Sequence, residues 1–143
     1  MLTYQSQVTI DRPPDVVFPY LIEPDRQKLW SDVPMQRLDQ GPLGVGSRME
    51  LTMGMGPIKT KIGLRLAAIE VNRRLAFESF SGSIRWSGEY VLTPTASGAT
   101  EVRQRGELTF SGLWRLLERL VGAEISRCEI KELERLKQAV ERP

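Results

Sequence analysis

From Leu113 to about Glu141 the sequence carries one apolar stripe at helical spacing, and the rest of the chain must supply a surface for it. Leu113, Leu117, Val121, Ile125 and Cys128 recur at steps of four and three, and Leu136 and Val140 resume the stripe after some angular drift. That spacing keeps one side of a 3.6-residue-per-turn helix apolar. Arg115, Glu118, Arg119, Arg127 and Glu134 fall off the stripe, as a solvated face does. Trp114, Leu116 and Leu120 widen the apolar surface of the first half, which predicts that half to be the more deeply buried. A helix of this length runs roughly 40 Å. Ser111 stands at its entry as an N-cap candidate. Gly122 sits inside it at a cost of about 1 kcal/mol relative to alanine. It marks either a close contact or slight kink, or room left for a ligand.

Upstream, the period changes. Thr3 to Ile10 alternates weakly and contains β-formers, predicting a first strand. Asp11 to Pro14 ends it, and Pro14 suits a helix start. Asp15 to Ile22 reads as a short helix, with Pro19 removing a hydrogen bond unless it falls in the first turn. Glu23, Pro24 and Asp25 break that helix, and Arg26 to Trp30 reads as a second. Val33 to Gln40 is a strand, followed by a glycine-rich turn over Gly41 to Gly46. Met49, Leu51 and Met53 then alternate with polar residues, as do Ile62, Leu64 and Leu66. Leu75, Phe77 and Ser79 share one face of the next strand. Ile84, Trp86, Gly88, Tyr90 and Leu92 share one face of the strand after it. Val102, Gln104, Gly106, Leu108 and Phe110 form the last inward face, with Arg103, Arg105 and Glu107 pointing away. Short turns between such strands make an antiparallel meander with one face buried and one wet. The order is one strand, two short helices, six strands and one long helix. This predicts an α+β, two-layer arrangement in which a curved antiparallel sheet of about seven strands wraps around the C-terminal helix.

The 143 residues suit a single domain spanning 1–143. Hydrophobic content of 41% and charged content of 27% are ordinary for a globular chain in water. A formal net charge of +2 is too small on its own to imply a nucleic-acid or membrane partner. There is one cysteine, so neither an intrachain disulfide nor a multi-cysteine metal site is available. The first residues lack the basic-then-apolar run of a signal peptide, and no apolar run is long enough to span a bilayer. A cytoplasmic protein is the expectation.

The stretch Val8 to Phe18, which joins the first strand to the first helix, carries a family resemblance. So do Gly44 to Arg48 opening the third strand, Asn72 to Phe77 at a strand start, Gly98 to Val102, and Leu133 to Lys137 near the helix end. With these residues the chain resembles the START-like superfamily, also called SRPBCC, whose fold is a helix-grip. It looks most like the branch of polyketide cyclase/dehydrase and lipid transport proteins. The motifs are structural turns and caps, which specify the fold well and the activity poorly. The resemblance implies a hydrophobic cavity between the sheet and the long helix, holding a small hydrophobic molecule such as a lipid, a quinone or a polyketide-like aromatic. The inward residues expected to line it are Met49, Leu51, Met53, Ile62, Leu64, Leu66, Phe77, Trp86, Tyr90, Gln104 and Leu108, with Leu117, Val121 and Ile125 from the helix.

Candidate chemistry is sparse. The chain has no histidine, which removes the commonest general base and makes Ser-His-Asp and Cys-His arrangements impossible. No cofactor and no metal site is expected. Cys128 reads as a small buried apolar residue. The glycines at 41, 44 and 46 lack dinucleotide-loop spacing and supply turns instead. Lys59, Lys61 and Arg65 on one strand, with Arg103 and Arg105 on another, form either a basic patch or one half of a set of cross-strand charge pairs. Glu50, Glu78, Glu89, Glu101 and Glu107 on the same outer face favour the pairs. Gln104, Tyr90, Ser79 and the Trp86 indole nitrogen are the polar handles inside. Trp86 and Tyr90 combine large apolar bodies with one polar tip each, which serves a ligand or simply a packed core. Glu132 lies near the apolar stripe by angle but late in the helix, so it is expected at a cavity mouth or exposed. Three functions follow: a binding protein for a small apolar molecule, a polyketide cyclase or dehydratase, or an interaction module acting through its outer surface.

Overall fold

The computed structural model describes residues 2–31, 35–55 and 57–142. The elements are β1 (Leu2–Ile10), α1 (Pro14–Ile22), α2 (Pro24–Gln27), β2 (Met35–Arg37), β3 (Arg48–Met55), β4 (Ile58–Glu70), β5 (Arg74–Ser81), β6 (Ile84–Pro94) and β7 (Thr100–Phe110). A 3-10 helix over Gly112–Leu117 then leads into α3 (Glu118–Glu141). The seven strands form one sheet in the order β1-β7-β6-β5-β4-β3-β2, with each neighbouring pair antiparallel. The first strand therefore pairs with the last. Tyr4 lies opposite Gly106, and Val8 opposite Val102.

Alternation decides which face is buried. Along β7, Val102, Gln104, Gly106, Leu108 and Phe110 are buried, while Arg103, Arg105, Glu107 and Thr109 are exposed. The outer face carries the charges, and they pair across strands. Arg65 lies opposite Glu78 and meets it at 2.7 Å. Glu89 lies opposite Arg105 and receives that guanidinium and Arg74's at 2.7 Å each. Lys61 reaches Glu50 at 3.6 Å. Lys61, Arg65 and Arg105 thus belong to a mixed ladder, while Arg103 reaches Glu101 of its own strand at 3.0 Å.

The inner face packs in two clusters. One gathers α1, the far ends of β6 and β7 and the end of α3, with Val17, Phe18, Leu92, Val102, Leu133, Leu136 and Val140. The other gathers Tyr4, Ile62, Ile84, Leu108, Phe110, Trp114, Val121 and Ile125 at the opposite end of the strands. The end of α3 is tied back to the β1–α1 corner. Lys137 Nζ donates to the Thr9 carbonyl at 2.7 Å, the Asp11 amide donates to Glu141 Oε2 at 2.9 Å, and Arg12 donates to the Glu141 carbonyl at 2.9 Å.

Several expectations are corrected. The helix begins at Glu118, because Gly112–Leu117 winds as a 3-10 helix, and the α-helical part is 24 residues. Its first half is the less buried one. Leu113, Leu116 and Leu120 are 70%, 81% and 61% exposed, whereas Leu133, Leu136 and Val140 are buried. Cys128 is exposed. The reason is angular drift: the buried side runs from Val121 and Ile125 to Leu133, Leu136 and Val140, and it turns past Cys128 on the way. Ser111 does not cap the helix; its hydroxyl donates to the Ser83 carbonyl at 2.7 Å. Gly122 marks a close contact and no ligand space, since a Cβ there would lie 2.6 Å from Leu2 Cδ2. The second short helix starts at Pro24 and ends at Gln27, with the proline in its first turn, where a missing N–H costs nothing. The strand expected over 33–40 is Met35–Arg37, and Val33 lies outside the described residues.

Candidate functional site

At the seam between the two clusters the inner face leaves a cavity. About 60 Å³ of it is open to the centre of a water-sized sphere. That is several times the ~10–15 Å³ that one water needs by the same measure. The floor is the sheet, with Met49 and Leu51 from β3, Leu64 and Leu66 from β4, Leu75 and Phe77 from β5, and Trp86 and Tyr90 from β6. Leu21 and Ile22 of α1, Gln27 of α2, Trp30, Ser31 and Met35 close one side, and Glu132 of α3 closes another.

Aromatic geometry shapes this space. Phe77 meets Trp86 edge-to-face with ring centroids 5.3 Å apart, and it lies 6.5 Å from Tyr90 with the two rings tilted by 45°. Trp30 meets Tyr90 edge-to-face at 6.2 Å. Trp30 is held in turn by its indole N–H, which donates to the Tyr20 carbonyl at 2.8 Å. Phe77 needs a glycine opposite it. Gly88 is its register partner, and a Cβ at Gly88 would lie 2.7 Å from Phe77 Cζ.

Of the residues expected to line a cavity, the structure brings together Met49, Leu51, Leu64, Leu66, Phe77, Trp86 and Tyr90. Gln104 lies behind this wall, where its amide donates to the Tyr90 hydroxyl at 3.4 Å and accepts from Ser6 Oγ at 3.4 Å. Ile62, Leu108, Val121 and Ile125 are buried in the second cluster and do not line the cavity, and Met53 and Leu117 pack against that cluster. The physical cause is that the start of α3 closes down on this end of the sheet, where the Trp114, Val121 and Ile125 side chains fill the space.

The polar handles are likewise divided. The Trp86 indole N–H donates to the Tyr4 hydroxyl at 2.8 Å, and Ser79 Oγ accepts from the Trp86 amide at 2.9 Å. Tyr90 remains at the cavity wall. Glu132, expected at a mouth or exposed, is only 5% exposed and forms part of the wall. Its Oε1 accepts from Ser31 Oγ at 3.4 Å. The sequence signal for it was its helical angle, shared with Val121 and Ile125. Trp30, Leu21, Ile22, Gln27, Ser31, Met35 and Leu75 were not anticipated. Leu75 was legible from its strand face, but nothing local tells where the two short helices dock. Among the described residues, no group of three or more potential metal ligands comes together. No described helix is long and apolar enough to cross a membrane.

The sequence model of the family described as "Polyketide cyclase / dehydrase and lipid transport" matches residues 1–141, so the chain belongs to this family. Solved structures share the fold. The Zhui aromatase/cyclase from Streptomyces sp. R1128 has a TM-score of 0.80 at 13% identity, over 98% of this chain and 93% of its own. TTHA0849 from Thermus thermophilus has a TM-score of 0.80 at 18% identity, over 96% of both chains. Ara h 8.0201 has a TM-score of 0.71 at 15% identity, over 96% of both chains. At these identities the likeness is one of fold: an open antiparallel sheet with a long C-terminal helix and short helices after the first strand. A search of curated protein sequences gave no match.

Proposed function

We propose that this protein binds a small, mostly apolar molecule in the cavity between the sheet and α3. The observation that carries the reading is the cavity's composition. Its walls are leucine, isoleucine, methionine and aromatic rings, interrupted by a few polar groups: Gln27, Ser31, Tyr90 and Glu132. Ligand sites are commonly built this way, apolar with few convergent polar groups. The opening is smaller than the several-hundred-Å³ clefts that take drug-sized molecules. Met35 and Met49, unbranched and adaptable, are the walls that can give way to a larger guest. Family membership supports the same reading.

A second reading is an enzyme of the cyclase or dehydratase type, favoured by Tyr90 and Glu132 in one cavity and by the likeness to the Zhui aromatase/cyclase. Catalysis there would rest on orientation of a folded substrate, with the two side chains as polar anchors.

Native mass spectrometry of the purified protein, followed by denaturing extraction, tests the first reading. A stoichiometric apolar compound released on unfolding supports it, and the compound's chemical state separates carrier from enzyme. If neither extraction nor titration with apolar probes finds an occupant, the reading is wrong.

A further inference from the structure

We infer that the exposed leucines leading into α3, with two arginines beside them, form a docking surface for an anionic lipid bilayer. Leu113, Leu116 and Leu120 stand three and four residues apart, so they share one side of the helical winding. They are 70%, 81% and 61% exposed and belong to neither core cluster. Ala123, three residues beyond Leu120, is exposed as well. The ridge lies opposite the buried side that carries Val121 and Ile125. Its backbone is held from beneath. Trp114 is buried in the second cluster, and the Ser111 hydroxyl donates to the Ser83 carbonyl at 2.7 Å. An isolated exposed leucine is ordinary on a protein surface, whereas a contiguous apolar row rimmed by charge marks an interaction face.

Charge chooses the occupant. Arg115 and Arg119 are exposed beside the ridge and enter no ion pair among the described residues. Arg127, further along, is already met by Glu124 at 3.1 Å. Glu118 stands two residues from both Leu116 and Leu120, hence on the other side of the helix, and is partly buried. A second copy of this chain fits the patch poorly. A two-fold contact brings the same patch against itself, so it would set these arginines against their own counterparts. A stable dimer also buries roughly 800 Å² on each partner, and three leucines on one ridge supply a fraction of that. A bilayer needs no shaped complement. Leucines enter the acyl boundary while guanidiniums stay among the headgroups. Anionic headgroups strengthen binding by about fivefold for each arginine near the surface. An apolar ridge and a basic flank each bind weakly alone, and together they give a reversible anchor. The inference does not depend on what the cavity holds.

The test is flotation of the intact protein with two kinds of vesicle, at low and at high salt. One is phosphatidylcholine alone, and the other is about three parts phosphatidylcholine to one part phosphatidylglycerol. Wild type is expected to bind the anionic vesicles about tenfold or more better than the neutral ones at low salt, and to be released by high salt. Leu116→Ser combined with Leu120→Ser is expected to lose about tenfold or more. Arg115→Gln combined with Arg119→Gln is expected to bring anionic binding down to the neutral level. All four side chains are exposed, so both double variants should melt with wild type, which is measured alongside. Wild type that does not float with anionic vesicles overturns the inference, as does equal binding to both kinds. Binding that survives either double variant overturns it too, because another surface would then be at work. Wild-type dimers in light scattering that the double leucine variant dissolves would give this face to a second copy and overturn it as well. The wild-type lipid and salt comparison needs no variant, so a poorly folding substitution does not protect the proposal. Failure here leaves the cavity reading intact, since the extraction experiment decides that separately.

Discussion

The indole N–H of Trp86 donates to the hydroxyl of Tyr4 across 2.8 Å, with both side chains buried. This bond links β6 to β1 over the intervening β7 and turns the polar tip of Trp86 away from the cavity that its ring lines. Tyr4→Phe removes the acceptor and leaves a buried N–H to be satisfied. The expected loss is about 1–3 kcal/mol, read from urea unfolding. If Trp86 instead keeps its tip for a ligand, Tyr4→Phe will leave stability unchanged and alter binding.

Phe77 depends on the absence of a side chain at Gly88. Gly88→Ala puts a Cβ 2.7 Å from the ring and 3.1 Å from the Arg105 carbonyl. Overpacking of this kind costs about 1–3 kcal/mol. Adding Phe77→Leu should recover part of that loss, with a coupling of at least about 0.5 kcal/mol in a double-mutant cycle. Strictly additive effects would show that the ring does not need the glycine.

Truncation should separate the end of α3 from the 3-10 turn that precedes it. Leu136 is fully buried, and Leu136→Ala should destabilise by about 2–5 kcal/mol. Leu116 is 81% exposed, and Leu116→Ala should stay within about 0.5 kcal/mol of wild type. Thermal and urea unfolding of the pair decide it; equal losses would place Leu116 against the core.

Glu89 sits between two guanidiniums on the outer face. The hydrogen bond from Arg74, and then the one from Arg105, hold its carboxyl below the ordinary glutamate range despite partial burial, which pulls the other way. A carboxylate whose native pKa is depressed contributes stability that is fully present above its unfolded value of about 4.5 and is lost as pH falls through the lower native value. Stability of wild type should therefore decline more steeply than that of Glu89→Gln as the pH is lowered from neutrality through that window. Parallel profiles would mean that the ion pairs are too well solvated to matter.

Strand faces are local properties. The alternation along β3, β4, β6 and β7 places Met49, Leu51, Leu64, Trp86, Tyr90 and Leu108 inward whatever the rest of the chain does, because the pleat alternates side chains regardless of context. The same reasoning made the outer-face charges readable as partners, since Arg65 and Glu78, or Glu89 and Arg105, need only the antiparallel register to meet. Fold class followed from the order of those periods.

The division of the inward residues between core and cavity was set by how the layers close. Leu108, Val121 and Ile125 carry the same inward pattern as Met49 and Tyr90, yet they fill one end of the sheet solidly because Trp114 and the first turns of α3 come down there. The cavity survives beside α1 and α2, whose docking brings Leu21 and Trp30 to its edge. A helical angle placed Glu132 near the apolar side of α3, but its burial against Ser31 and the sheet depends on contacts between segments about a hundred residues apart. Periodicity acts within one segment and is written in the sequence. The gap between packed layers depends on side chains from every element that meets there, and only their assembly decides it.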